Sequence, residues 1–376
     1  MHVGMPHLGN LYLGVKAMAN RLGGELILPP LSNQRTLSLG VKYSPEGLCL
    51  PFKLTLGNLI EAAEMGADTM LMVSGFGICR LGYYAKVQKQ ILYDLGYDVE
   101  LVQFGISENK LLGFLQTMRR IAGGESWPRI ISAFRFGMAK LNTVDRIERT
   151  VHKVRAVEQI KGTANRLFTQ AIKAIEEADD YDALKRVQAD YIQQLNQVPR
   201  NGNVQPLKVG ITGEFYVLLE PFSNLDVESE LGKLGVEVRR RTFISEWVKY
   251  SLFLNPLGID ETKKIHKAAL PYLKRDVGGD GWESVGEKVL HAKEYDGIVH
   301  VAPFTCMPEI IAQNIMPSTK ENIPVLTILC DEQMAKPGLS TRLEAFVDLL
   351  ERRRRAKEQP AMSNNVREVH GGLFRH

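Results

Sequence analysis

The chain has 376 residues, 44% of them hydrophobic and 24% charged, an ordinary composition with length enough for two or three domains and an ample core. Much of its formal net charge of +4 sits in Arg352-Arg353-Arg354-Arg355. That run reads as a solvated helix end near the negative pole, and no aromatics interleave with it as they do in single-strand nucleic-acid binders. No apolar stretch is long enough to span a membrane. Met1 to Pro6 lacks the ordered basic and apolar regions of a signal peptide, so the expectation is a cytoplasmic protein. Four cysteines in that compartment point to metal binding or catalysis rather than disulfides. None forms a compact C-x-x-C pair, so spacing alone does not establish a metal site.

Residues 1–106 alternate strand and helix. His2 to Pro6 predicts a strand, Leu8 to Leu22 a helix, and Glu25 to Leu28 a second strand. A short helix around Thr36 to Leu39 is followed by a helix over 51–65, a strand from Thr69 to Val73, a helix from Tyr83 to Leu95 and a strand from Val99 to Val102. Such alternation means a parallel sheet covered by helices on both faces. Over 107–198 the strand signals vanish. Val144, Ile147, Val151, Val154, Val157 and Ile160 recur at helical spacing, and Asp179, Asp180 and Asp182 bound a further helix to about Leu195. This segment reads as a helical insertion whose stripes pack a core.

Pro199 to Asn203 is polar and turn-rich and marks the clearest boundary. Alternation resumes over 204–358, with strands at Leu207–Ile211, Val236–Arg239, Gly297–Val301 and Val325–Leu329. Helices are expected at Asp226–Leu234, Pro308–Ile315 and Arg342–Arg352. Gly278 to Gly286 is glycine-rich but matches neither the P-loop nor the dinucleotide fingerprint. It reads as a mobile loop or as a lid over a ligand. The tail, 359–376, is polar and reads as disordered.

Three cysteines share one context. Cys49 precedes the helix that begins near Pro51, Cys79 lies between the strand ending at Val73 and the helix from Tyr83, and Cys306 lies between the strand Gly297–Val301 and the helix from Pro308. Each therefore sits at or near a helix N-terminus, whose partial positive charge lowers a thiol pKa and favours anionic ligands. Arg80 adds a full positive charge beside Cys79 and joins the cysteines as a candidate contact for a bound group. Three such turns can converge at the carboxyl edges of two parallel sheets, where open α/β folds build their sites. A single free cysteine is ordinarily a small buried hydrophobe. Three at matching turns shift the balance toward ligation, with iron–sulfur chemistry ahead of zinc because structural zinc takes compact pairs. Cys330 ends an apolar strand and reads as a strand-end residue, with a fourth-ligand role as the alternative. His300 reads as a satisfied core histidine, with contact to a metal ligand as the alternative.

At these residues the chain resembles the 2-hydroxyacyl-CoA dehydratase and benzoyl-CoA reductase family. It is similar above all to the stand-alone proteins related to the activase of that system. The matching stretches are Leu39 to Glu46 with Cys49 to Lys53, Gly77 to Tyr84, Pro303 to Glu309, and Asp331-Glu332 with Thr341 to Phe346. The resemblance implies an α/β fold of two Rossmann- or flavodoxin-like parallel-sheet lobes with a 4Fe–4S cluster between them, held by Cys49, Cys79 and Cys306. It also implies a separate ATP-hydrolysing, actin/Hsp70-like activase that injects one electron; a homologous second subunit and a self-dimer are the open alternatives for further assembly. Ile78 stands where the family usually has proline, one residue before a ligand.

Two readings of function follow. The first is an oxygen-sensitive, cluster-bearing component of a reductase or dehydratase that drives electron transfer into an acyl-CoA or another small molecule. The second is a non-catalytic iron–sulfur carrier, scaffold or regulator. A structural metal protein ranks below both.

Overall fold

The computed structural model describes residues 2–73, 79–104, 116, 118–202, 205–250 and 262–358. They form an α/β protein with two all-parallel, four-stranded sheets. The first sheet contains β1 (His2–Gly4), β2 (Glu25–Ile27), β3 (Thr69–Val73) and β4 (Glu100–Phe104), in the order β2-β1-β3-β4. The second contains β5 (Leu207–Gly213), β6 (Val236–Arg240), β7 (Gly297–Pro303) and β8 (Val325–Cys330), in the order β6-β5-β7-β8. Counted within each lobe the order is the same, with the first strand between the second and the third. Connections leave that central pair in opposite directions, and the crevice outside the carboxyl ends there is where open sheets place ligands.

In the first lobe the helices are α1 (Leu11–Leu22), α2 (Gln34–Tyr43), α3 (Leu50–Glu64) and α4 (Leu81–Asp94). A capping box starts α2, with Asn33 accepting from the Arg35 and Thr36 backbone N–H groups and Thr36 Oγ1 accepting from the Asn33 N–H. Every residue of α3 from Leu50 to Ala63 is buried, so this helix is enclosed on all sides. It crosses α2 at two glycines. A Cβ on Gly40 would overlap the Lys53 carbonyl oxygen, and one on Gly57 would overlap that of Thr36. Pro51 is the second residue of α3, one position later than the sequence suggests.

The insertion consists of α5 (Trp127–Val157), α6 (Thr163–Glu177) and α7 (Tyr181–Gln197). Val144, Ile147, Val151 and Val154 of α5 pack with Ile175, Leu195 and, from α1, Leu13 and Ala17. Hence the insertion shares a core with the first lobe. The expected stripe ends early, because α5 stops at Val157 and Ile160 is exposed.

The second lobe carries α8 (Phe215–Leu219), α9 (Val227–Lys233), α10 (Ile244–Lys249), α11 (Lys263–Ala269), α12 (Gly281–His291), α13 (Met307–Ile315) and α14 (Lys336–Glu358). Gly278 to Asp280 form the turn into α12, and Gly281 to Gly286 are its first residues. A Cβ on Gly281 would crowd Val277 and the Pro308 carbonyl, and Gly279, at φ 53°, lies close to the Pro308 ring. The arginine run lies on the last turns of α14. There Arg354 pairs with Asp296 at 2.7 Å, and Arg352 and Arg355 pair along the helix with Asp348 and Glu351.

One apolar cluster joins the lobes. It runs from Val209, Ile211, Val299 and Val301 of the second sheet to Leu8, Leu50 and Leu54 of the first lobe. Two polar ties reinforce it: Lys53 Nζ to Glu332 Oε1 at 2.8 Å, and the Gly9 N–H to Glu220 Oε2 at 2.8 Å. Among the described residues no helix is long and apolar enough to cross a membrane.

Candidate metal centre

Cys49 is the N-cap of α3, Cys306 is the N-cap of α13, and Cys79 directly precedes Arg80, the N-cap of α4. The glycines and Ile78 before Cys79 lie outside the described residues. Arg80 brings the three turns together. Its Nη1 donates to the Gly47 carbonyl at 2.9 Å, and its Nη2 donates to the Thr305 carbonyl at 2.6 Å and to Thr305 Oγ1 at 3.2 Å. Thr305 Oγ1 donates in turn to the Gly47 carbonyl at 3.5 Å. One guanidinium on the Cys79 turn therefore fixes the segments that lead into Cys49 and Cys306. Its planar fork suits this double contact in a way a lysine ammonium does not.

Thr305 has φ 68°, in the left-handed region that β-branched residues avoid. Such a conformation costs on the order of 1–3 kcal/mol and persists where surrounding contacts over-determine it. Here those contacts are the ones to Arg80 and Gly47.

The sulfurs are not activated thiols. Burial is the main cause that pushes Cys79 up to about 11 and Cys49 and Cys306 above the ordinary thiol value, with the Glu214 carboxyl adding to the shift in all three. The backbone N–H groups of Phe52, Leu81 and Glu309 oppose it only in part. No cap hydrogen bond forms at Cys49 or Cys306. The depressed thiol pKa expected from the helix N-termini is therefore reversed by desolvation. The raised values argue against an activated nucleophilic thiol at these positions. Cys49 also raises both Cys79 and Cys306 through its charge, so the three sense one another. Cys49 Sγ and the Tyr84 hydroxyl are hydrogen-bonded at 2.6 Å.

Cys330 is separate. It ends β8, is fully buried in the core that joins the lobes, and has the Ile328 carbonyl as its sulfur's neighbour at 3.9 Å. His300 is fully buried, with Nε2 and Glu309 Oε2 at 2.6 Å and Nδ1 and Thr327 Oγ1 at 3.4 Å, which is a satisfied core histidine.

Three acids missed in the sequence reading surround the Cys306 turn. Glu214 follows β5, accepts the Val217 N–H at 3.0 Å, and is raised to about 7 by burial and by Glu309. Asp280 accepts the Phe215 N–H at 3.1 Å, and burial with Glu283, Glu309 and Glu214 holds its carboxyl well above the usual range. Glu309 shares Oε2 between His300 and Ser284, while its buried Oε1 has no partner. A carboxylate directly after the strand at the point of direction reversal was the available signal for Glu214.

As a donor set, the three cysteines offer sulfur from three separate segments, with Cys49 and Cys306 buried and Cys79 half-buried. Among the described residues, the group of His, Cys, Asp and Glu atoms close enough to hold a single ion is Glu148, His152 and Glu228, with no cysteine in it. There Arg240 already supplies the cation, at 2.7 Å from both glutamates. Cys49, Cys79 and Cys306 are not in that group, so their three sulfurs do not all lie within reach of one ion.

Comparison with protein-family models and with curated proteins returned no match for this chain.

Proposed function

We propose that this chain is an iron–sulfur protein of the 2-hydroxyacyl-CoA dehydratase type, with Cys49, Cys79 and Cys306 as the ligands of a 4Fe–4S cluster. The observation that carries this reading is the contact of Arg80 with Gly47 and Thr305, which gathers three cysteine-bearing helix starts at one place. The sequence motifs at the same three turns support it independently. When bound, such a cluster supplies a low-potential one-electron site.

The chain's own residues do the rest. Arg80 holds the turns in register and leaves positive charge beside the sulfurs. Glu214, raised to about 7, titrates in the neutral range near the three turns. The shared apolar core around Leu50 and Leu54 keeps water from the floor of the site. Free cysteines that stay reduced suit a cytoplasmic setting.

No P-loop or dinucleotide fingerprint is present, so the electron comes from a partner, an ATP-hydrolysing activase of the actin/Hsp70-like kind. Electron paramagnetic resonance tests this on the protein mixed with reduced activase, with and without ATP. The reading expects cluster reduction that depends on ATP. Equal reduction without ATP, or none under either condition, contradicts it and favours a carrier role.

A further inference from the structure

A cavity of about 330 Å³ lies between the first sheet, α1, α5 and the start of the second lobe. Its wall is apolar almost throughout, with Leu26, Leu71, Phe134, Met138 and Phe215 among its residues. It reaches the candidate metal centre, because Pro51, Leu81 and Tyr84 line it and Tyr84 is the hydroxyl partner of Cys49. Volume and lining place it among small-molecule sites rather than packing defects.

The wall also states what it rejects. Among the described residues it contains no lysine or arginine, and the one carboxylate residue is Glu25. Phosphates or a carboxylate inside it would be desolvated without a counter-charge. Two wall residues carry a buried polar atom without a partner: Nδ1 of His7 and the hydroxyl of Tyr216. His7 Nε2 lies 2.8 Å from the Pro29 carbonyl, which can only accept, so in the neutral ring Nδ1 is a bare acceptor. A ligand with a single hydroxyl, carbonyl or amine group would give one of these atoms the partner the protein does not.

We propose that this cavity binds an uncharged, largely hydrocarbon or aromatic small molecule with at most one hydrogen-bonding group, seated against the Tyr84 ring beside Cys49. The charged portion of any larger substrate stays outside the wall. The ligand's place next to Cys49 makes it the candidate substrate of the chemistry proposed above, and that step rests on the cluster assignment; the binding does not.

The test uses a matched pair of probes on the full chain, with and without iron: neutral N-phenylnaphthylamine and its sulfonated counterpart, anilinonaphthalene sulfonate. Trp247 lines the cavity and stacks on Phe215 at 5.0 Å between ring centroids, so energy transfer from its emission reports occupancy. The expected result is saturable binding of one neutral probe per chain, at least tenfold tighter than the sulfonate, whether or not iron is present. Trp247→Phe, which removes the donor at the wall, should lower the transfer. Ala19→Phe, which places a ring in the cavity, should weaken the neutral probe tenfold or more with the circular dichroism unchanged. Should that variant not fold, Met138→Trp carries the same test. Equal affinity for both probes, no saturable binding, or unchanged affinity in a folded cavity-filling variant would overturn the proposal. A cluster-free protein that still binds the neutral probe would retain this inference while the cluster reading failed.

Discussion

Arg80 Nη2 donates to the Thr305 carbonyl at 2.6 Å, a contact between the two lobes across 225 positions of sequence. It is an exposed hydrogen bond, so its worth to overall stability is small. Its worth to the site is positional, since it holds Thr305 at positive φ. Arg80→Ala is expected to leave the melting temperature nearly unchanged but to speed loss of iron to a chelator severalfold. Arg80→Lys should not rescue it, because one ammonium cannot span the Gly47 and Thr305 carbonyls in the same plane. Chelator-chase kinetics of iron release check this, and wild-type retention in both variants counts against the role.

The four cysteines divide by position. Cys49→Ser, Cys79→Ser and Cys306→Ser are each expected to lose the cluster's visible absorption, while Cys330→Ser keeps most of it. Cys330 is fully buried at the end of β8, its carbonyl accepting the Phe304 N–H, and unlike the other three it does not sit at a helix start. Absorption at equal protein concentration decides, and loss in Cys330→Ser together with retention in Cys306→Ser would reverse the assignment.

The crossing of α2 and α3 sets where Cys49 points. Gly57→Ala places a methyl group on the Thr36 carbonyl oxygen, which is backbone and cannot turn aside. Overpacking of this kind costs about 1–3 kcal/mol or more. The expected outcome is a clear fall in the denaturation midpoint, with weaker iron retention as α3 shifts. An unchanged midpoint would show that the crossing is looser than described.

Glu228 links the long insertion helix to the second lobe, with Arg240 at 2.7 Å and His152 at 3.0 Å. Burial alone would raise its pKa, but Arg240 and His152 outweigh burial and hold it well below the usual carboxylate range. Its folded pKa is below its unfolded one, so the folded state binds fewer protons. The contribution is present above the ordinary carboxylate range and is lost on acidification below about pH 5. Glu228→Gln leaves a buried guanidinium short of charge and is expected to cost about 3 kcal/mol at neutral pH. It should also flatten the loss of stability in acid. Urea midpoints across that range test both, and a variant as acid-sensitive as the wild type would contradict the assignment.

Much of this architecture was legible because its signals are local. The strand Thr69–Val73 and the helices that begin beside Cys49 and Cys306 follow from apolar runs, proline near the helix start and glycine at the end. Three short helices of the second lobe, α8, α10 and α11, carried too little periodicity to be read. The glycines of 278–286 were read as a loop or lid; Gly278 and Gly279 take left-handed backbone conformations in the turn, and Gly281 starts α12 close to Val277 and Pro308. The thiol pKa went the wrong way for a related reason: helix position is visible in sequence, but desolvation depends on what packs from elsewhere. Arg80 was visible as a neighbour of Cys79. That its reach extends to Gly47 and Thr305 is a fact of the tertiary fold.

The most direct test of the account is metal and sulfide analysis of the chain purified without oxygen. The account predicts a brown protein with iron and acid-labile sulfide in equal amounts, about four of each per chain, as a cubane requires. Stoichiometric zinc with no sulfide, or no metal at all after anaerobic reconstitution with iron and sulfide, would contradict it.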